Sequence, residues 1–263
     1  MSDLLTSHGI LNSLLLGFIA SSPLLIGCIV SLFVNLPPRL ITTIMAFGSG
    51  VLIATLCFSI LPEAFSYTHS LTSTAIGFIL GGLSYIIANA ILERKSKSKT
   101  STNIHSKTSA GKPTTETKPA SGSTLFIGSV MDNIPENAAL GITLAAGGAL
   151  NIAFLVAIFV SNLPEGLAST NDMKLSGLSR KYILLLWSLA VIIGTFSTTI
   201  GYSVLANANP HVISISIAFA AGAILVMLGE SMIPEAFKKE GIGKGLALLV
   251  GFLIALILTV AQG

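Results

Sequence analysis

Three acidic side chains stand inside apolar stretches of this chain, each near an asparagine and a proline: Asp132 and Glu136 in MDNIPENAAL, and Glu165 in VSNLPEGLAS. Carboxylates, amide oxygens and the Ser161 hydroxyl make an oxygen-rich set. With no Lys or Arg in either phrase, that set suits a divalent cation. Asp132, Asn133 and Glu136 share one helix face, as do Ser161, Asn162 and Glu165, because residues three and four apart are neighbours on a helix. Pro135 and Pro164 have no N–H for the carbonyls of Met131 and Val160, which leaves two more oxygens for a cation. For a single such acid, protonation and hydrogen bonding to a neighbouring helix is a competing explanation. Three acids in two matching phrases point to an ion path, since ionisable groups are costly in a membrane.

The elements that position these residues follow from composition. The 263 residues are 52% hydrophobic and only 10% charged, with a mean hydropathy of +0.86. A soluble domain carries roughly a quarter charged residues. The fold expected is an all-α integral membrane protein with eight transmembrane helices, at 10–34, 39–65, 72–92, 123–146, 149–171, 182–206, 211–236 and 242–261. The chain then divides into spans one to three (1–92), a cytoplasmic loop (93–122), a hairpin of spans four and five holding the candidate site (123–171), and spans six to eight (172–263). The loop ERKSKSKTSTNIHSKTSAGKPTTETKPASG has almost no apolar residues and is expected to be disordered. The first span has no basic leader and no cleavage motif, so it reads as a permanent span. Cys28 and Cys57, inside spans, read as small apolar packing residues.

All 14 Lys and Arg residues fall in connectors of one parity. By the positive-inside rule those connectors are cytoplasmic, which predicts a multi-pass protein of the cell membrane with both termini outside. A second pair of phrases, ILPEAF at 60–65 and MIPEAF at 232–237, closes spans two and seven. Each phrase then occurs once in each direction. This predicts an inverted repeat, spans 1–3 against 6–8 and span 4 against span 5, with a substrate site near the midplane at the repeat interface. Asn133 and Asn162 are equally far from a joint at Gly147–Gly148. Glu136 then lies about 4–5 Å outward of the midplane and Glu165 as far inward.

At these residues the chain resembles the ZIP family of divalent metal transporters. The resemblance rests on NIPE and NLPEG in spans four and five, LPEA and IPEA at the ends of spans two and seven, eight spans, and the long loop after span three. It implies metal ligands at Asp132, Asn133, Glu136, Ser161, Asn162 and Glu165, movement of a bundle containing spans four and five against a scaffold of spans two, three, seven and eight, and a homodimer. The chain departs from the family phrase where Asp132 replaces the usual His, Ser161 another strong ligand, and Asn137 the usual Gly. Ser59 and Glu230 likewise stand where spans two and seven have lost histidines. Without these histidines the set is harder, which brings Mn²⁺ and Fe²⁺ beside Zn²⁺ as substrates.

Other positions carry weaker signals. Glu63 and His69 are candidate entrance residues, and Glu230 and Glu235, with Asp172, candidate exit residues. Gly77, Gly81 and Gly82 predict a close helix contact, within the protomer or across a dimer. The function expected is transport of Zn, Mn or Fe class ions toward the cytoplasm. The alternatives are a metal-binding membrane protein without transport and a proton-coupled carrier of another solute. No HExxH or GxSxG is present, so an enzyme is not expected. Neither a bound cofactor nor a nucleic-acid partner is expected; the partners are the metal ion and the lipid bilayer.

Overall fold

The computed structural model describes residues 2–34, 36–102, 122–145, 152–238 and 243–262, and among these there are helices and turns but no strand. The helices are α1 (Ser2–Phe33), α2 (Pro38–Thr55), α3 (Leu61–Ser66), α4 (Leu71–Thr102), α5 (Gly122–Ala145), α6 (Ile152–Leu175), α7 (Arg180–Leu205), α8 (Pro210–Met227), α9 (Ile233–Phe237) and α10 (Gly243–Gln262). Two π-turns, Leu56–Ile60 and Leu228–Met232, join α2 to α3 and α8 to α9.

Local chemistry sets these boundaries. Pro38 and Pro210 open α2 and α8, where a missing N–H costs nothing. The Asn209 side chain accepts from the Val212 N–H at 3.0 Å and caps α8. Ser179 caps α7 in the same way through the Tyr182 N–H at 3.3 Å. Pro62 and Pro234 would clash with carbonyls of a regular helix. Just before each proline the backbone widens instead: the Leu61 N–H reaches back to the Leu56 carbonyl, and the Ile233 N–H to that of Leu228.

Among the described residues six helical stretches are long and apolar enough to cross a membrane: Gly9–Phe33, Pro38–Ser66, Leu71–Leu92, Arg180–Leu205, Pro210–Phe237 and Gly243–Ala261. The protein is thus all-helical and membrane-embedded in character. Helices α5 and α6, which carry the polar phrases, are not among the six. Outward faces are apolar throughout, with Phe18, Ile79, Ile87, Leu185, Phe196, Leu249 and Ile257 all exposed. The interior instead holds Ser21, Asp132, Asn133, Glu136, Asn137, Ser161, Asn162 and Thr198. Such a surface suits hydrocarbon and would aggregate in water.

The helices pack in two groups. Helix α1 lies against α6 and α7, and α5 against α7; separately, α4 lies against α8, and α10 against α2. Contacts of α2 with α6 and of α5 with α8 join the groups. Reciprocal glycines allow each major crossing to close. A Cβ on Gly81 would strike the Phe219 carbonyl and one on Gly222 the Phe78 carbonyl, while across the α2–α10 crossing Gly50 faces the Leu248 carbonyl and Gly251 that of Phe47. Backbones this near gain dispersion and weak Cα–H···O contacts, the main attraction left between helices when the solvent is itself apolar.

Several sequence expectations change here. Helix α4 runs on through Thr102, into the 93–122 segment expected to be disordered, because the Arg, Lys and Ser residues after Leu92 tolerate helix in water. Residues 103–121 of that segment and the Gly147–Gly148 joint lie outside the described residues. Gly77, Gly81 and Gly82 make their close contact within the chain, against α8. Cys28 is buried as expected, but Cys57, on the first π-turn, is exposed.

Glycine packing gives the first prediction. Gly81→Ala should destabilise the protein by about 1–3 kcal/mol, since the new methyl meets backbone that cannot rotate away. Gly128→Ala, where a Cβ meets nothing within 4 Å, should be neutral or stabilising by up to about 1 kcal/mol. Thermal unfolding of both variants in detergent is the check, and equal midpoints would refute the close-approach account.

Candidate functional site

Helices α5 and α6 pack against each other, and of the six predicted ligands Glu136 and Ser161 touch across them. Glu136 accepts a long hydrogen bond from the Ser161 hydroxyl at 3.5 Å. The carboxylates of Asp132, Glu136 and Glu165 are close enough to interact electrostatically. Glu136 is 2% exposed and Asp132 8%, so solvent does little to screen them. Ser129, one turn before Asp132, offers its hydroxyl to the Glu165 carboxylate. Glu165 Oε1 is buried with no hydrogen-bond partner, and so is Asn162 Oδ1. Unpartnered buried acceptors are rare in folded proteins and call for a missing donor or cation.

The two asparagines differ from expectation. Asn133 turns toward α1 and α7: its Nδ2 donates to the Ala190 carbonyl at 3.1 Å, and its Oδ1 accepts from Asn137 Nδ2 at 2.6 Å and from Ser21 Oγ at 3.4 Å. Asn137 Oδ1 in turn accepts from Ser21 at 3.2 Å and Thr198 at 3.2 Å. The Asn133 amide is therefore fully engaged in a seam joining α1, α5 and α7. Asn162 instead donates to the Ala20 carbonyl at 2.9 Å and keeps its oxygen free. The difference traces to one residue. Gly166 follows Pro-Glu in the α6 phrase and lies flat against Leu24, whereas Asn137 holds that position in α5 and fills the gap with hydrogen bonds.

Sequence reasoning did not find Tyr85 or Ser231. The Tyr85 hydroxyl donates to Asp132 Oδ1, and Ser231 Oγ, in the second π-turn, donates to Asp132 Oδ2 at 3.2 Å. Tyr85 is one residue in an apolar run, with nothing in the sequence to mark its partner. Ser231, immediately before the MIPEAF phrase, did carry a signal. Among the described residues, no three His, Cys, Asp or Glu side chains are arranged to hold a metal ion. Asp132 is turned toward its two hydroxyls.

The expected entrance and exit residues are scattered. Glu63, half-buried, and His69, exposed, lie at the end of the molecule where Thr68 meets Ser214 at 3.5 Å. His69 ends its helix at a positive φ of 49°, with its N–H on the Phe65 carbonyl at 2.8 Å. At the opposite end a cleft of about 260 Å³ gathers Asn171, Asp172, Glu235 and Lys238 with the start of α2. There Glu235 pairs with Lys238 at 3.3 Å. Glu230 lies apart from that cleft and accepts from Asn89 Nδ2 at 2.7 Å.

Neither a comparison with models of known families nor one with curated proteins finds a match for this chain.

The asparagine seam gives a test. Asn133→Ala should destabilise the protein by about 1–3 kcal/mol, because it strips partners from Asn137, Ser21 and the buried Ala190 carbonyl. Asn162→Ala removes a single hydrogen bond and an already unpartnered oxygen, so its cost should be smaller. Denaturation in mild detergent would separate the two, and a reversed order would refute the assignment of Asn133 to the seam.

Proposed function

We propose that this protein carries divalent transition-metal ions, of the Zn, Mn or Fe class, across the membrane toward the cytoplasm, through the carboxylates between α5 and α6. The observation that carries the proposal is the pair of buried oxygens without donors, Glu165 Oε1 and Asn162 Oδ1, beside Glu136 and Asp132. A cation passing between the helices would satisfy both oxygens and relieve the mutual repulsion of the acids. The phrases shared with ZIP transporters point the same way. Missing histidines favour the harder metals of the class.

Eight spans in an inverted repeat belong to this reading. In it α5 and α6 cross the membrane as a hairpin at the centre, shielded from lipid by the other helices. Paired features support the repeat: α4 on α8 answers α10 on α2, the two π-turns precede LPEAF and IPEAF, and Asn133 on Ala190 answers Asn162 on Ala20. Lys174, at one end, donates to the Ser31 carbonyl at 2.8 Å, near the cleft that holds Lys238. That basic end is the cytoplasmic one in this reading.

A second reading, a proton-coupled carrier of another solute, draws support from the lack of a ready three-ligand cluster among the described residues. Uptake by reconstituted vesicles decides between them. Glu136→Gln and Glu165→Gln should each lower Mn²⁺ and Zn²⁺ uptake at least about 100-fold while the protein still inserts, as removal of one central charged ligand leaves few others. Uptake at the wild-type rate in either variant would refute the metal path. Asp132→His together with Ser161→His should raise the Zn²⁺ to Mn²⁺ uptake ratio, and an unchanged ratio would move selection elsewhere. For orientation, a cysteine at Asn207 should react with an impermeant reagent in intact cells and one at Ser109 should not. The opposite pattern would reverse the topology.

A further inference from the structure

Asp132 stands at the boundary between the two helix groups. Its own helix, α5, belongs with α1 and α7, yet both of its carboxylate oxygens are held by the other group: Oδ1 by the Tyr85 hydroxyl from α4, and Oδ2 by Ser231 from the second π-turn. Tyr85 is 7% exposed, with its ring along a cleft that also exposes Pro135. One turn further along α4, Asn89 holds Glu230, the residue beside Ser231. Helix α4 and the π-turn are thus tied to each other next to the point where both hold Asp132. Asp132 is the one acid of the three with a hydrogen bond on each oxygen, and this accounts for the absence of a formed three-ligand cluster.

We infer that Tyr85 and Ser231 are positioning residues that hold Asp132 off the cargo as a latch. The metal ion gains Asp132 as a ligand only by displacing these hydroxyls, which releases α5 from α4 and the π-turn. Cargo binding is thereby coupled to freedom of the α1, α5, α6 and α7 group to move. This inference rests on the metal-transport reading. It adds that affinity is held down by the latch, and that the latch is what makes movement depend on cargo.

The test titrates purified full-length protein with Mn²⁺ or Zn²⁺ alone and follows uptake into vesicles. Tyr85→Phe keeps the ring and its packing and removes only the donor. It should tighten metal binding about tenfold and lower the KM for uptake, with a fall in kcat as release slows. Ser231→Ala, at a separate site, should shift binding in the same direction. In an Asp132→Ala background the effect of Tyr85→Phe should vanish, which a general change in helix packing would not produce. Equal affinities for wild type and both single variants, weaker binding by them, or the same shift without Asp132 would overturn the latch and leave the transport reading standing. If wild-type protein binds neither metal, the transport reading fails and the latch with it.

Discussion

Burial of Asp132 and Glu136, with Glu165 half-buried, in a bundle with an apolar exterior is the constraint on which the rest of the structure depends. Hydrocarbon offers no donors, so a polar atom inside is costly unless the protein itself answers it. The chain supplies those answers with short side chains: Ser21, Ser129, Ser161, Thr198 and Ser231. A serine lends a hydroxyl without separating helices that close-approach glycines bring together. The interior is therefore polar and tight at once. Among the described residues the buried side-chain atoms left without a partner are Asn162 Oδ1 and Glu165 Oε1, one turn apart in the α6 phrase, together with Thr170 Oγ1 further along α6 and Trp187 Nε1 on α7.

Much of this was legible in the sequence. An all-helical membrane protein followed from its apolar runs, and the interior position of Asp132, Glu136, Ser161 and Glu165 from their helical spacing. Spacing cannot say how a phrase rotates about its axis once neighbouring helices compete for it. Asn133 and Asn162 occupy equivalent positions in the two phrases, yet Asn137 draws the first into a seam while Gly166 leaves the second beside Glu165. The span does end at Leu92 as its composition indicates, but the helix that forms it continues to Thr102, because a basic, Ser-rich run ends a span without ending a helix. Tyr85 was hidden because its partner lies in another helix, far along the chain, and the packing of α4 and α5 on α8 and on each other brings the two near.

Polar ties are unevenly distributed between the two helix groups. Within α1, α5 and α7 they are centred on the amides of Asn133 and Asn137, with the Ser21 and Thr198 hydroxyls donating to them and Ser197 donating to the Ile134 carbonyl. Between the groups they run through hydroxyls of Tyr85 and Ser231, which donate one bond each and can turn away. Strong ties within a group and exchangeable ties between groups are what a relative displacement of packed helices requires. Reciprocal glycines close the crossings inside both groups alike: Gly27 with Gly166 between α1 and α6, Gly141 with Gly201 between α5 and α7, and the pairs already described at α4–α8 and α2–α10.

The π-turns have a consequence for helical phase. Each inserts one residue relative to a regular helix, so every side chain beyond it is rotated by about 100° about the axis. Ser231 reaches Asp132 from within such a turn, while Glu63 and Glu235 lie beyond one. Loss of a single residue between Leu56 and Ile60, or between Leu228 and Met232, would swing the LPEAF or IPEAF face away from its present neighbours with almost no change in composition or hydropathy. At these two places the length of the chain, more than the identity of its residues, decides which way the acids face.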